Sequence, residues 1–141
     1  MEVKIKLKEG AILPTKGSEN AMCWDCYAHA ITINEFGKIE VDLGFSIEPP
    51  KGYGVRLITR SNLTKYWWVL NNSIGIGDED YRGSYKAIFT PLFINHSFPY
   101  QLKDRVCQLE IYKRDDFEWK VVSELSETER GNGGFGSTGL T

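Results

Sequence analysis

The amino-acid sequence predicts an all-β fold, a barrel or jelly-roll-like sandwich, on three observations. Apolar and polar residues alternate from Lys38 to Ile47, through Ile39, Val41, Leu43, Phe45 and Ile47, and again through Tyr53, Val55, Leu57 and Thr59. A period of two marks strands with one face buried. No window sustains the 3.6-residue period of a helix, and turn residues such as Pro49-Pro50 break the chain at strand-length intervals.

In chain order, Met1 to Lys8 alternates charge with Val3, Ile5 and Leu7 and reads as the first strand. Gly10 to Asn20 carries Pro14, Gly17 and Ser18 and reads as a loop. Ala21 to Ile33 is apolar enough for a buried strand, interrupted by Asp25. The two alternating strands follow, then a short helical turn over Ser61 to Tyr66 and a core strand from Trp67 to Leu70. Asn71 to Gly83 reads as a hairpin, with Gly75 and Gly77 marking a bulge, bend or close approach of a ligand. Four more segments have strand length and composition: Tyr85 to Phe89, Pro91 to Ile94, Val106 to Tyr112 and Phe117 to Val122. Arg130 to Gly139 has too little apolar surface and too much glycine to order without a partner.

The composition fits one domain of 141 residues with 41% hydrophobic content. A formal charge of -2 argues against a duplex nucleic-acid binder, which carries a basic excess. No stretch has the length and apolarity of a membrane span or a signal peptide. Three cysteines, an odd number without an export signal, read as reduced thiols in a cytoplasmic protein.

The chemistry concentrates in few places. Asp78, Glu79 and Asp80 repel one another in a turn that neutral residues would make at lower cost, with Tyr81 and Arg82 beside them. A calcium loop is excluded, because Arg82 stands where an oxygen ligand belongs and Phe89 where the bidentate Glu belongs. The turn instead offers backbone groups and the Tyr81 ring to a flat ligand, with Asp78 as a possible base. Cys23, Cys26 and His29, completed by Cys107 or His96, invite a zinc reading; the odd Cys23 to Cys26 spacing aims the thiols at opposite faces of a strand and disfavours it. Asp25, between Trp24 and Cys26, needs donors or a metal hydrate if buried. Arg56, Arg60, Lys65, Tyr66, Trp67 and Trp68 are explained as well by core strand and solvated cations as by a single-strand nucleic-acid platform. Arg60-Ser61 opens a helical turn and reads as a phosphate seat. The glycine-rich tail is no dinucleotide or Walker loop, because no helix can follow and Ser137 replaces the lysine. Its amides, Arg130, Phe135, Ser137 and Thr138 suit a lid over a triphosphate and a base.

Taken together, these stretches resemble the trimeric deoxyuridine triphosphate pyrophosphatase (dUTPase) family in five ordered motifs. They are Trp24-Asp25-Cys26-Tyr27-Ala28, Arg60-Ser61-Asn62-Leu63, Gly75 to Gly83, Asp104-Arg105-Val106-Cys107-Gln108-Leu109, and Arg130 to Gly139. The sequence departs from the family pattern at Cys23, Thr59, Asn62 and Lys103, and at Gly77, where the family has an aliphatic residue.

The resemblance implies a distorted jelly-roll or β-barrel of the dUTPase type over residues 1–125, with residues 126–141 as a flexible C-terminal arm closing over the site. It implies Mg2+-dependent hydrolysis of dUTP to dUMP and pyrophosphate, which keeps uracil out of DNA and supplies dUMP for dTMP synthesis. Asp78 would be the base that activates water, and Asp25 would hold hydrated magnesium. Arg60, Ser61, Asn62 and Gln108 would line the phosphates. Asn72 and the backbone at Gly75 would read uracil, and Tyr81 would lie beneath the deoxyribose. Phe135 would cap the base, with Arg130, Gly136, Ser137 and Thr138 closing on the γ-phosphate. Homotrimers with shared sites are the family's assembly. The alternatives are a dCTP deaminase-like enzyme of related fold and a regulator that senses dUTP.

Overall fold

The computed structural model describes residues 1–93 and 96–134. The strands are β1 (Lys4–Leu7), β2 (Thr15–Lys16), β3 (Trp24–Tyr27), β4 (Ala30–Ile33), β5 (Ile39–Asp42), β6 (Phe45–Glu48), β7 (Tyr53–Thr59), β8 (Trp68–Leu70), β9 (Gly75–Gly77), β10 (Lys86–Pro91) and β11 (Arg105–Lys113). The 3-10 turn Ser61–Lys65 is the helical segment the sequence predicts. The strands form three antiparallel sheets: β1-β6, β4-β5-β10-β8 and β2-β3-β11-β7-β9. The fold is therefore all-β, as expected.

Two segments that read as single strands are broken so that the chain can change sheets. Lys38 to Ile47 splits into β5 and β6 at Gly44, whose φ of 75° suits glycine. A Cβ there would also fall 2.6 Å from that of Ala11 and 2.8 Å from the His29 ring, so the corner has no room for a side chain. Asp42 braces it, accepting from Gly44 N at 2.7 Å and Ser84 Oγ at 2.9 Å and pairing with Lys8. Ala21 to Ile33 splits into β3 and β4, with Ala28 N donating to Asp104 O and His29 N to Asp42 O at the corner.

Further expectations are corrected: Pro91 ends β10, Leu92 and Phe93 lie in no strand, and Ile94 lies outside the described residues. Asn71 to Gly83 is not a local hairpin, because β8 pairs with β10 and β9 pairs with β7 in another sheet. Phe117 to Val122 forms no strand. Trp119 is 87% and Val121 96% exposed, so β-propensity there finds no partner edge among the described residues. Between the sheets lie Val41, Leu43, Phe45, Val55, Phe89 and Val106, all essentially buried. Each large side chain buried there contributes about 1.5–3 kcal/mol, and together they hold β3, β7 and β11 rigid beneath the polar residues described next.

Candidate active site

In the five-stranded sheet, Gln108 on β11 stands opposite both Asp25 on β3 and Ile58 on β7. Arg60 follows the end of β7. Asp25 is only 3% exposed, so its charge needs partners inside the protein. It has three. Oδ1 accepts from Arg60 Nε at 2.9 Å and Gln108 Nε2 at 3.1 Å, and Oδ2 accepts from Arg105 Nη1 at 3.1 Å.

Arg105 is the member that reading the sequence missed. It lies three residues before Gln108, a spacing that sends side chains to opposite faces of a regular strand. A register shift between Arg105 and Cys107 reverses that parity and lets both reach Asp25. Ser61 is exposed at the start of the 3-10 turn, and a groove of about 730 Å³ runs past Arg60, Ser61, Trp67, Ser73 and Gln108. Asn62 turns inward instead, its Oδ1 accepting from the Tyr100 hydroxyl at 3.2 Å. Asn72 lies on the exposed connection into β9, with its Nδ2 3.6 Å from the position a Cβ on Gly75 would take.

The acidic turn follows β9. Glu79 is tied down, accepting from Gly52 N at 2.8 Å and Arg114 Nη1 at 3.1 Å. Arg82 Nη1 donates to Glu79 O at 2.6 Å, so two cations offset the three adjacent acids. Asp78 is exposed and its carboxylate accepts no side-chain hydrogen bond among the described residues. It borders a hollow of about 440 Å³ with Tyr53, Gly54, Tyr112 and Arg114. Tyr81 donates to Ser84 O at 3.1 Å and sets its ring edge-to-face on Tyr85 at 5.4 Å. A Cβ on Gly83 would fall 2.8 Å from Tyr81 Cε2, so glycine lets that ring lie close to the backbone.

The distance between the two groups decides how they can be used. β9 pairs with β7 so that Leu57 faces Gly75 and Val55 faces Gly77. The next step sets Asp78 beside Gly54, six residues before Arg60 on the same strand. At the rise of an extended chain the acidic turn and the Arg60 end are about 20 Å apart.

The dUTPase family model matches residues 9–139. The chain belongs to the dUTPase family. It is 37% identical to the deoxyuridine 5'-triphosphate nucleotidohydrolase of Treponema denticola, over 99% of each chain. Its fold is that of the Staphylococcus bacteriophage 80alpha dUTPase with dUPNHPP, with a TM-score of 0.80, 21% identity and 99% of each chain covered. It is also that of a mutant dUTPase from phage phi11 of S. aureus, described as coordinating a structural Mg(II) ion, with a TM-score of 0.72, 18% identity, and 88% and 98% of the two chains covered.

Against the motifs of the dUTPase family, the structure brings Asp25, Arg60 and Gln108 together with Ser61 alongside, and sets Asp78 and Tyr81 at the far end of β7. Arg130 donates locally to Gly133 O at 2.9 Å. Phe135, Gly136, Ser137 and Thr138 lie outside the described residues. Cys26 and Cys107 face each other across β3 and β11, fully buried, and burial pushes the Cys26 thiol well up. Among the described residues no three His, Cys, Asp or Glu side chains form a metal cluster, so the candidate zinc set does not assemble. No described helix is long and apolar enough to cross a membrane.

Proposed function

We propose that this dUTPase-family chain hydrolyses dUTP to dUMP and pyrophosphate with Asp78 as general base. The observation that carries the reading is the contrast between a carboxylate held by three donors, Asp25, and one left uncommitted, Asp78. Phosphoryl transfer needs fixed cationic donors around the phosphates and one free base for the water. Arg60, Ser61 and Gln108 take the phosphate oxygens; Arg60 spends Nε on Asp25 and Nη1 on Arg105 O at 3.3 Å and presents Nη2. Asp78 accepts a proton from water as its oxygen bonds to the α-phosphorus, the bond to the bridging oxygen breaks, and pyrophosphate leaves. Asn72 and the backbone at Gly75 face the uracil, and Tyr81 lies beneath the deoxyribose.

The Asp25 cluster fits hydrated magnesium held through water. A carboxylate offers about four acceptor positions; three are occupied and one remains for a metal-bound water. Two guanidiniums so close oppose a bare cation, so the substrate's phosphates bring the ion in. Magnesium supplies charge neutralisation on the triphosphate.

A separation of about 20 Å between Asp78 and Arg60 supports a complete site built from neighbouring copies, in a homotrimer whose glycine-rich segment 126–141 closes over residues of the 1–125 core. Three free thiols and a nucleotide substrate support a cytoplasmic setting. The test is pyrophosphate release with magnesium from dUTP, dCTP, dTTP and UTP, with Asp78→Asn alongside. Release from dUTP that disappears in the variant supports the reading; equal turnover of wild type and variant overturns it.

A further inference from the structure

Gly77 immediately precedes Asp78, yet its backbone does not require glycine, since it is absent from the positive-φ positions. It requires space. A Cβ at position 77 would come 2.8 Å from Tyr85 Cε1 and Cζ and closer still to the hydroxyl. Tyr85 thus fills the side-chain volume that residue 77 lacks.

Tyr85 is held firmly. It is 6% exposed, its ring stacks on Phe45 at 5.8 Å, its N–H donates to Phe45 O at 2.9 Å, and its carbonyl accepts from Leu43 N at 3.0 Å. Tyr81 packs against it edge-to-face at 5.4 Å and 86°. The hydroxyl is buried with no hydrogen-bond partner among the described residues. Burial, with the neighbouring Tyr81, pushes its pKa up to about 12, so it is neutral. An unpartnered buried hydroxyl is costly, and phenylalanine would avoid the cost. The bulk against Gly77 comes already from the ring carbons Cε1 and Cζ, and the hydroxyl adds to it.

The geometry points to Tyr85 as a positioning residue that, paired with Gly77, sets the Tyr81 ring and the Asp78 backbone and so determines discrimination between deoxyribose and ribose triphosphates. The inference rests on the function proposed above, in which Tyr81 underlies the sugar. A 2′-hydroxyl is rejected only if the surface beneath the sugar cannot retreat. Tyr85 makes that surface rigid, because the Tyr81 ring is backed by a ring that is itself stacked on the core.

The test compares imido analogues of dUTP and UTP binding to the full chain by calorimetry, for wild type, Tyr85→Val, Tyr85→Phe, Gly77→Ala and the double variant Gly77→Ala/Tyr85→Val, with thermal melts to verify folding. We expect Tyr85→Val to lower the preference for the dUTP analogue at least tenfold, and Tyr85→Phe, which keeps the ring, to retain it. Gly77→Ala should weaken dUTP-analogue binding at least tenfold, and the double variant should recover most of that loss. A merely structural tyrosine would change melting temperature without changing the ratio. An unchanged ratio in folded Tyr85→Val, or a double variant no better than Gly77→Ala, overturns the inference. Should Tyr85→Val fail to fold, recovery in the double variant decides. Pyrophosphate release by wild type is measured in parallel. A wild type that binds both analogues equally overturns this inference, whereas one that prefers the dUTP analogue without turning over dUTP overturns only the hydrolytic reading.

Discussion

Asp25 and Asp78 are the same residue type at opposite ends of one strand's reach, and the chain treats them in opposite ways. Asp25 is buried and surrounded by two guanidiniums and an amide; Asp78 is exposed, and its oxygens have no side-chain partner among the described residues. A carboxylate that orders donors has to be saturated, and one that takes a proton has to be left accessible. Burial and partner count thus support the two different roles proposed for these carboxylates.

Several substitutions break or sharpen this contrast. The largest effect is expected from Asp78→Asn, which removes the proposed base while keeping its shape: kcat falls by about 10²–10⁴, with dUTP-analogue affinity retained in calorimetry. Asp25→Ala does the reverse. It leaves two cations without their shared anion and costs about 3 kcal/mol of stability, read as a lower melting temperature together with weakened binding. If Asp25→Ala melted like wild type and Asp78→Asn did not, the two roles would be exchanged.

Mixing provides the next test. Asp78→Asn and Arg60→Ala proteins, each inactive alone, regain about a quarter of wild-type activity after co-refolding if copies assort at random; no gain would mean that each site lies within one chain. Arg114→Ala, which frees Glu79, is expected to lower kcat severalfold with little change in melting temperature, because its ion pair is exposed.

The smallest effect concerns a third carboxylate, Asp42. Burial pushes its pKa up, but hydrogen bonds from Lys8, Gly44 N and Ser84 outweigh that and hold it below the ordinary 3.8. Its stabilisation is therefore complete above 3.8 and is lost as pH falls through the lower folded-state value. Asp42→Asn should flatten that acid limb of the stability curve and leave the activity profile near neutrality unchanged.

How much of this was legible in the sequence follows from period and parity. Strands such as β7 and β11 were legible because their alternation reflects one buried face, and Asp25 because a charge among apolar neighbours must find donors. The corners at Gly44 and Ala28 were not, since the alternation at the first and the apolar run at the second continue through them while the chain changes sheets. Arg105 was hidden by a bulge, a displacement of one residue that no side-chain pattern records. The Phe117 to Val122 segment misled for the converse reason: its propensity is that of a strand, but no described strand offers it an edge. Gly77 was visible as a departure, but Tyr85, which accounts for it, is distant from it in pattern and adjacent only in space.

The strand β7 also acts as a ruler. By holding the Arg60 end and the Asp78 turn about 20 Å apart, it would, in the shared-site assembly proposed above, make reaction rate depend on encounter. At high dilution a solution of such chains should lose specific activity, with an apparent kinetic order in protein above one. A newly synthesised chain would stay silent until enough of its siblings had accumulated to meet it.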